Sequence, residues 1–157
     1  MEKKSIVLIH GCFEDEFFDG LKKRGLKEVF VCEGRPSLKS SKDAVKALQK
    51  RKITPTVITD NMAGFLFYKG YVKEVNIASQ VTDKNGVLAQ IGSLVLSVLA
   101  KAHKVPVNSF KARGKLKLLD KPQALHKFNG RKVVDGATKT FVPLVEWVDR
   151  EYLKAVN

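Results

Sequence analysis

The chain has 157 residues, of which 44% are hydrophobic, so it can bury a core and is expected to form one domain rather than a disordered tail. Two cysteines are too few for a disulfide framework, the apolar run near the N-terminus is too short for a signal peptide, and no apolar stretch reaches the roughly 20 residues that cross a bilayer. We therefore expect a cytoplasmic protein with no membrane partner. The net charge of +13 favours phosphate, nucleic acid or another anionic partner, although a basic proteome or a high growth temperature would explain it equally well.

Short apolar runs alternate with segments of helical periodicity, which is typical of βαβ units on a parallel sheet. The first helix is expected to close near Gly25, the second to be capped by Ser40 or Ser41, and a third, short one to begin at Asp60. The predicted strands are residues 6–9, 29–32, 56–59 and 75–78. We predict a single-domain α/β protein with a three-layer Rossmann-like fold and a mostly parallel sheet.

Residues 87–103 follow a strong turn signal at residues 83–86 and are apolar almost all round. This pattern predicts one long helix that must be covered on both sides. Because a sheet covers only one side, we expect the helix to form a subunit interface, most simply in a two-fold homodimer.

The segment from Lys101 to Lys132 carries ten Lys or Arg residues against the single acid Asp120. Within it Lys111, Arg113, Lys115 and Lys117 alternate, so an extended backbone would place them on one face, either as an anion-binding arm or as an edge strand protected by its charge. Beyond it, Pro143 and the spacing of the apolar residues that follow predict a closing helix over about residues 143–155.

In open parallel sheets, ligands bind beyond the carboxyl ends of the strands. Arg35 could hold a phosphate there, or only pair with Glu33; Asp60 could open an anion-binding helix, or only cap it. Cys12 precedes a helix N-terminus and could be an activated thiol or an inert buried one, and His10 has the same ambiguity. The polar residues predicted at these strand ends are His10, Cys12, Glu33, Arg35, Asp60, Asn61, Ser79 and Gln80.

Several common motifs are absent from the sequence. The three histidines and two cysteines show no metal-ligand spacing, no Walker loop is present, and no G-x-G-x-x-G follows the first strand. We therefore expect no metal and no cofactor.

Residues 58–63, Ile-Thr-Asp-Asn-Met-Ala, resemble a motif of the family that joins the alpha, beta and delta subunits of translation initiation factor 2B with methylthioribose-1-phosphate isomerase and ribose-1,5-bisphosphate isomerase. Residues 33–36, Glu-Gly-Arg-Pro, are similar to the family's E-T-R-P, and the resemblance is clearest over residues 5–108. It implies the family's C-terminal Rossmann-like domain, which dimerises and binds phosphorylated sugars or nucleotides. It also implies that the family's N-terminal helical domain, which helps to close the pocket, is not part of this sequence.

The departures from the family's pattern concern its chemistry. The family's isomerases use a cysteine after the first strand and an aspartate after the fourth; here Cys12 is displaced by one residue and Gln80 replaces the aspartate. An amide cannot act as a general acid or base near neutral pH. The family's Asn-Lys pair before I-G-T is Ala89-Gln90 here, which makes Gln90 a candidate ligand contact, and Asp83 is the residue that could substitute for the lost aspartate.

Three functions follow from this resemblance and from the charge. The first is a non-catalytic binding or regulatory module that recognises a phosphorylated sugar or nucleotide. The second is a minimal aldose-ketose isomerase acting on a ribose phosphate through Cys12 with Asp83 or Glu33. The third is association with nucleic acid or the ribosome through the basic segment, for which only Phe110 and Phe128 could provide base stacking.

Overall fold

The computed structural model describes residues 2–115 and 117–156. Its helices are α1 (Asp15–Lys23), α2 (Lys39–Lys50), α3 (Ala63–Tyr68) and α4 (Ser93–Ala102). Its strands are β1 (Ile6–His10), β2 (Glu28–Cys32), β3 (Thr54–Ile58), β4 (Val72–Thr82), β5 (Gly86–Gln90), β6 (Val107–Lys111), β7 (Lys127–Phe128), β8 (Arg131–Lys132), β9 (Val145–Asp149) and β10 (Ala155–Val156). Short 3-10 helices cover residues 60–62, 122–125 and 150–152.

One sheet organises the domain. Six of its strands are parallel, in the order β10-β6-β4-β1-β2-β3. Strand β5 pairs antiparallel with the C-terminal end of β4, and β9 pairs antiparallel with β5. The outer strand β3 contains Pro55, which has no N–H to donate and is tolerated at a sheet edge. The predicted α/β class with a mostly parallel sheet is confirmed.

The two faces of the sheet are covered by different helices. One face packs β1 and β2 against α1 and α2, with Phe17 and Leu48 among the buried residues. The other packs the same strands against α3 and α4, with Phe67 and Leu96 among the buried residues. Alternate residues of each strand point to opposite faces, so one sheet supports two apolar layers.

The predicted long helix over residues 87–103 is wrong in its first part. Residues 86–90 form β5, which pairs antiparallel with β4 across the turn at Asp83, and the helix begins only at Ser93. Gly92, at φ +98°, adopts a left-handed conformation that separates the extended backbone of β5 from the helix. A short apolar run such as residues 87–90 fits a strand or a helix equally well, and here the hairpin turn decides.

The predicted closing helix over residues 143–155 is also wrong. Residues 145–149 form β9, which lies antiparallel to β5, and residues 155–156 form β10 beside β6. Val145, Trp147 and Val148 are strand-favouring residue types, and Val148 is fully buried against the α3 and α4 layer. Tertiary pairing therefore overrides the weak helical spacing of this segment.

Smaller corrections concern the ends of elements. The backbone N-cap of α2 is Leu38, in the left-handed conformation, rather than Ser40 or Ser41. Strand β4 extends through Thr82, so Ser79 and Gln80 lie within a strand and not in the loop expected after residue 78.

The basic segment is not one extended strand. Lys111 ends β6, and the chain bends at Arg113 and Gly114, so the predicted single face of alternating cations does not form. Beyond Gly114, the described residues of the segment form a 3-10 helix over residues 122–125, the small β7–β8 hairpin and irregular chain with exposed lysines. No helix in the described part of the chain is long and apolar enough to span a membrane.

Candidate functional site

The carboxyl ends of β1, β2 and β3 meet at one edge of the sheet, which we call the strand-end edge. The parallel register pairs Ile9 with Val31, so the next residues, His10 and Cys32, lie side by side. Cys32 is paired in turn with Ile58, and Asp60 comes two residues after Ile58. The close approach of the loop after β1 to β4 requires Gly11, because a Cβ there would lie 2.8 Å from the Cβ of Ala78. Strand register and the close approach at Gly11 therefore set the positions of the residues at this edge.

Asp60 holds the loop that follows β2. Its two carboxylate oxygens accept hydrogen bonds from the backbone N–H groups of Gly34, at 2.9 Å, and Arg35, at 2.8 Å. Charge-assisted bonds of this kind are stronger than neutral ones. Asp60 does not cap its own helix through its side chain, so its observed role is to join two strand ends.

His10 is 1% exposed, and its Nε2–H donates to the carbonyl oxygen of Ile91 at 2.9 Å. Because a carbonyl only accepts, the proton of the neutral ring lies on Nε2, and Nδ1 carries a lone pair. That Nδ1 is buried without a hydrogen-bond partner. Burial lowers the pKa of His10, against the opposing effects of Asp60, the Ile91 carbonyl and Glu146, so the ring is neutral at pH 7.

Cys32 completes a cluster that the sequence did not suggest. One donor atom each from His10, Cys32 and Asp60 lies within 4.8 Å of the others, and we call these three residues the His10 cluster. Burial, with Asp60 and Glu33 nearby, raises the pKa of the Cys32 thiol far above its usual range. The thiol is inert in this state.

The Cys12 crevice is a separate feature on the α1 and α2 side of the edge. It encloses only about 10 Å³, which is about the space that one water molecule needs. Cys12 is half-buried; burial, and secondarily Asp43, raises the pKa of its thiol, against the opposing charges of Lys39 and Arg113. The crevice is lined by Cys12, Ala78, Gln80, Gln90, Ala112, Arg113 and Gly114.

Gln90 joins the crevice to the start of α2. Its Nε2 donates to the Ser40 hydroxyl at 3.2 Å, and both side chains are buried. Gly34 leaves the room for this contact, since a Cβ there would clash with Ser40 Oγ and lie 2.6 Å from Gln90 Nε2. The contact links β5 to the first turn of α2, directly after the loop that Asp60 holds.

Arg35 lies against the β7–β8 hairpin. Its guanidinium lies over the ring of Phe128, 3.9 Å from the centroid, so the β7–β8 hairpin covers this part of the edge. Glu33 lies close to Arg35 and Asp60: burial and the Asp60 charge raise the pKa of Glu33, and Arg35 opposes them. The observed ring contact of Arg35 is with Phe128, and a phosphate contact at this residue stays a prediction.

Three predicted site residues have other contacts. Asn61 is exposed and accepts a hydrogen bond from Thr59, and Asp83 accepts bonds from the backbone of its own turn at Asn85 and Gly86. The buried Ser79 hydroxyl donates to the Phe110 carbonyl and accepts from Ser109. None of the three lines the Cys12 crevice as the described residues define it.

Sequence reasoning missed further residues at this edge. Glu146, on β9, accepts a hydrogen bond from the Leu94 N–H at 2.8 Å and so occupies the N-terminus of α4. Arg113 reaches the edge through a backbone bond to the Cys12 carbonyl at 2.8 Å. No local motif marks Glu146, Phe128 or Cys32, because each arrives through tertiary pairing of distant segments.

A larger groove, of about 640 Å³, runs along α1 away from these clusters. Its lining includes Phe17 and Phe110, the acids Glu14 and Glu16, and the bases Arg24 and Lys111. Arg24 is already paired with Glu74, and the two carboxylates disfavour a phosphorylated ligand, so this groove is a poorer candidate for the predicted function than the strand-end edge.

Comparison with known proteins identifies the family of the chain. Residues 9–155 match the model of the "Initiation factor 2 subunit family". A methylthioribose-1-phosphate isomerase from Caldicellulosiruptor saccharolyticus is 30% identical over 158 aligned residues, covering 93% of this chain and 45% of the relative. Another from Aquifex aeolicus is 42% identical over 79 residues, covering 50% of this chain and 17% of the relative.

Solved structures show the same fold. The delta subunit of translation initiation factor eIF-2B from A. fulgidus superposes with a TM-score of 0.83 at 21% identity, over 99% of this chain and 52% of that one. The 5-methylthioribose 1-phosphate isomerase from Pyrococcus horikoshii also superposes with a TM-score of 0.83, at 18% identity, over 98% and 49%. The chain thus spans about half the length of these relatives. The resemblance drawn from the sequence is confirmed, and the chain belongs to the Initiation factor 2 subunit family.

Proposed function

We propose that this chain is a non-catalytic binding or regulatory module of its family that recognises a phosphorylated sugar or nucleotide at the strand-end edge. The observation that carries the proposal is the composition of the Cys12 crevice. It offers the amides of Gln80 and Gln90 and a thiol whose pKa is raised, but no carboxylate or imidazole lines it in the described structure. Such a set can hydrogen-bond a ligand, its amides cannot move protons between carbons, and its one thiol has no carboxylate beside it in the lining of the crevice.

Cations at the rim of the crevice supply the affinity for phosphate. Arg113 is exposed there, and Lys39 opens α2, whose first turn contains no acidic residue. The crevice is far smaller than the roughly 300 to 1,000 Å³ of ordinary ligand pockets, so the sugar does not enter it as it stands. The phosphate binds at the rim, and the residues around Gly114 move aside if the rest of the ligand is to follow.

The test is a thermal-shift and calorimetric screen of the purified protein against ribose phosphates, methylthioribose 1-phosphate and nucleoside mono- and diphosphates. A ligand that binds only the native state raises the melting temperature. We expect Arg113→Ala to weaken binding at least tenfold, and Lys115→Ala, two residues away and also exposed, to leave it within twofold. A flat screen, or equal loss in both variants, would reject the ligand.

A minimal isomerase is the second candidate, and the raised pKa of Glu33 favours it. Burial and Asp60 raise the pKa of Glu33, which moves it towards the near-neutral pKa that suits a general acid. Asp83 is less suited, since its carboxylate closes the β4–β5 turn. Turnover of methylthioribose 1-phosphate that is lost in Cys12→Ser and Glu33→Gln would establish this activity in place of the non-catalytic module.

Nucleic-acid association through the basic segment stays a weaker prediction. The two aromatic residues in the segment are already in contact with other groups: Phe110 packs on Phe13 and Phe17, and Phe128 lies under Arg35. Base stacking would have to displace these contacts. The prediction is checked by the salt dependence of filter binding, which phosphate contacts make steep.

We further propose that the chain forms a homodimer, with the interface moved from residues 87–103 to the outer surface of α3 and α4. Helix α3 leaves Phe65 and Tyr68 exposed, and α4 leaves Val95 and Val98 exposed. Exposed apolar side chains on adjoining helices are typical of an interface. We expect a concentration-dependent dimer in sedimentation that Val95→Asp shifts to monomer and Lys101→Ala does not; a monomer at all concentrations would reject it.

A further inference from the structure

We propose that the His10 cluster is a transition-metal site that takes Zn²⁺. Its three donors are the imidazole of His10, the thiolate of Cys32 and the carboxylate of Asp60, a mixed nitrogen, sulfur and oxygen set that zinc accepts. The site lies beneath the strand-end edge and is separate from the Cys12 crevice, so it goes beyond the proposed function.

The backbone places the three donors together. His10 and Cys32 end the neighbouring parallel strands β1 and β2, and both belong to the face that packs on α3 and α4. Asp60 begins the 3-10 helix that leads from β3 into α3 on the same face. Donors from three consecutive strand ends therefore converge without any sequence spacing that a local motif could show.

The donor distances need only side-chain adjustment. Bond lengths of about 2.0 to 2.3 Å put the ligands of a tetrahedral zinc about 3.3 to 3.8 Å apart. The three donor atoms here lie within 4.8 Å of one another, so closing on an ion requires movements of about 1 Å. Three protein donors leave the fourth position to water or to a ligand that enters past the half-exposed Asp60.

His10 is prepared for a metal by its other nitrogen. Metal-binding histidines nearly always donate their second ring N–H to a carbonyl or carboxylate, which fixes the tautomer. Here Nε2–H donates to Ile91, and the remaining Nδ1 is fully buried without a partner. A buried polar atom left unpaired is costly, and a bound cation would satisfy it.

Asp60 and Cys32 suit the charge of the ion. Asp60 is oriented by the backbone N–H groups of Gly34 and Arg35, and each carboxylate oxygen keeps a lone pair for a metal. When Zn²⁺ binds, the Cys32 S–H bond breaks, sulfur keeps the electron pair and the proton leaves to solvent. The thiolate and the carboxylate then balance the two charges of the ion inside a low-dielectric site.

The test uses the full chain, stripped with chelator and titrated with Co²⁺ and then Zn²⁺. A Cys12→Ser protein retains Cys32 as its single cysteine, so a thiolate-to-cobalt absorption band in this variant must come from Cys32. We expect one Co²⁺ per chain, the band in wild type and in Cys12→Ser, and its replacement by Zn²⁺. We expect Cys32→Ser to lose the band and His10→Gln to weaken binding at least tenfold, while the control His103→Gln binds like wild type.

Zn²⁺ should also raise the melting temperature of wild type and Cys12→Ser. A titration without the band in Cys12→Ser would overturn the proposal, even if Cys32→Ser or His10→Gln fails to fold. Stoichiometric metal binding that is lost in Cys12→Ser would overturn it as well. Arg113→Ala separates this site from the proposed phosphate site, since it should weaken phosphate binding and leave the cobalt spectrum unchanged.

Discussion

The two helical layers differ on their outer surfaces, although both bury apolar side chains against the same sheet. On the α1 and α2 side, Arg51 bridges Asp15 and Asp19, and Arg24 pairs with Glu74, so the surface is ionic. On the other side the outer surface of α3 and α4 is apolar, as Phe65 and Val95 show. The ionic layer is suited to face water, and the apolar layer is suited to be covered.

The same contrast continues at the strand-end edge. The Cys12 crevice lies on the ionic side and has a cationic rim, whereas the His10 cluster lies on the apolar side and has a buried imidazole and thiol. An exposed cationic rim suits an anion that comes and goes. A cluster whose imidazole and thiol are buried suits an ion that stays.

The largest expected effect separates two phenylalanines of the apolar layer. Phe67 is 1% exposed and Phe65, on the same helix, is 58% exposed. We expect Phe67→Ala to cost about 3 to 5 kcal/mol of unfolding free energy through a cavity, and Phe65→Ala to stay within about 0.5 kcal/mol in the monomer. Urea denaturation checks both values, and a large loss in Phe65→Ala at low protein concentration would contradict the contrast between inner and outer surfaces.

A smaller effect should depend on pH and belongs to the ionic layer. Burial alone would raise the pKa of Glu74, but hydrogen bonds from Arg24 and Asn76 overcome this and lower it below the ordinary 4.5. The stabilisation is therefore present above pH 4.5 and is lost as the pH falls through the folded-state pKa. Glu74→Gln should cost up to about 1 kcal/mol at pH 7.

Chemical denaturation of wild type and Glu74→Gln between pH 7 and pH 3 measures this difference. The two stability curves should converge at the acid end. Parallel curves would show that the Arg24–Glu74 pair contributes nothing that titrates.

The smallest effect concerns Asp19, whose carboxylate accepts a hydrogen bond from Arg51 at 2.7 Å on an exposed surface. We expect Asp19→Asn to lower the melting temperature slightly at low salt, and the loss to shrink in high salt because exposed charges are screened. Thermal melts at two salt concentrations check this. A cost that does not change with salt would indicate a packing role for the side chain instead.

The sequence predicted the first half of the fold better than the second. Strands β1 to β4 follow local apolar runs separated by helices of clear period, and each lies where expected to within a few residues. Residues 87–90 and 145–149 become strands because they pair with each other. That pairing joins segments more than fifty residues apart, and no local pattern encodes it.

The sequence predicted only those site residues that the order of strands places at the edge of the sheet. The rule for parallel strands placed His10, Cys12 and Asp60 at one edge, and the structure brings them there. It could not show that Cys32 faces His10, that Phe128 covers Arg35, or that Glu146 takes the N-terminus of α4. Each of these depends on which face a strand presents or on where a distant segment returns.

Pro55 also has a consequence for how this protein behaves at high concentration. A free outer strand is a template on which another chain can add and begin aggregation. Half of the Val57 side chain on strand β3 is exposed, which would invite such growth. Because Pro55 interrupts the row of donors along that strand, an incoming chain cannot form a continuous ladder, and the domain is protected from edge-to-edge polymerisation on this side.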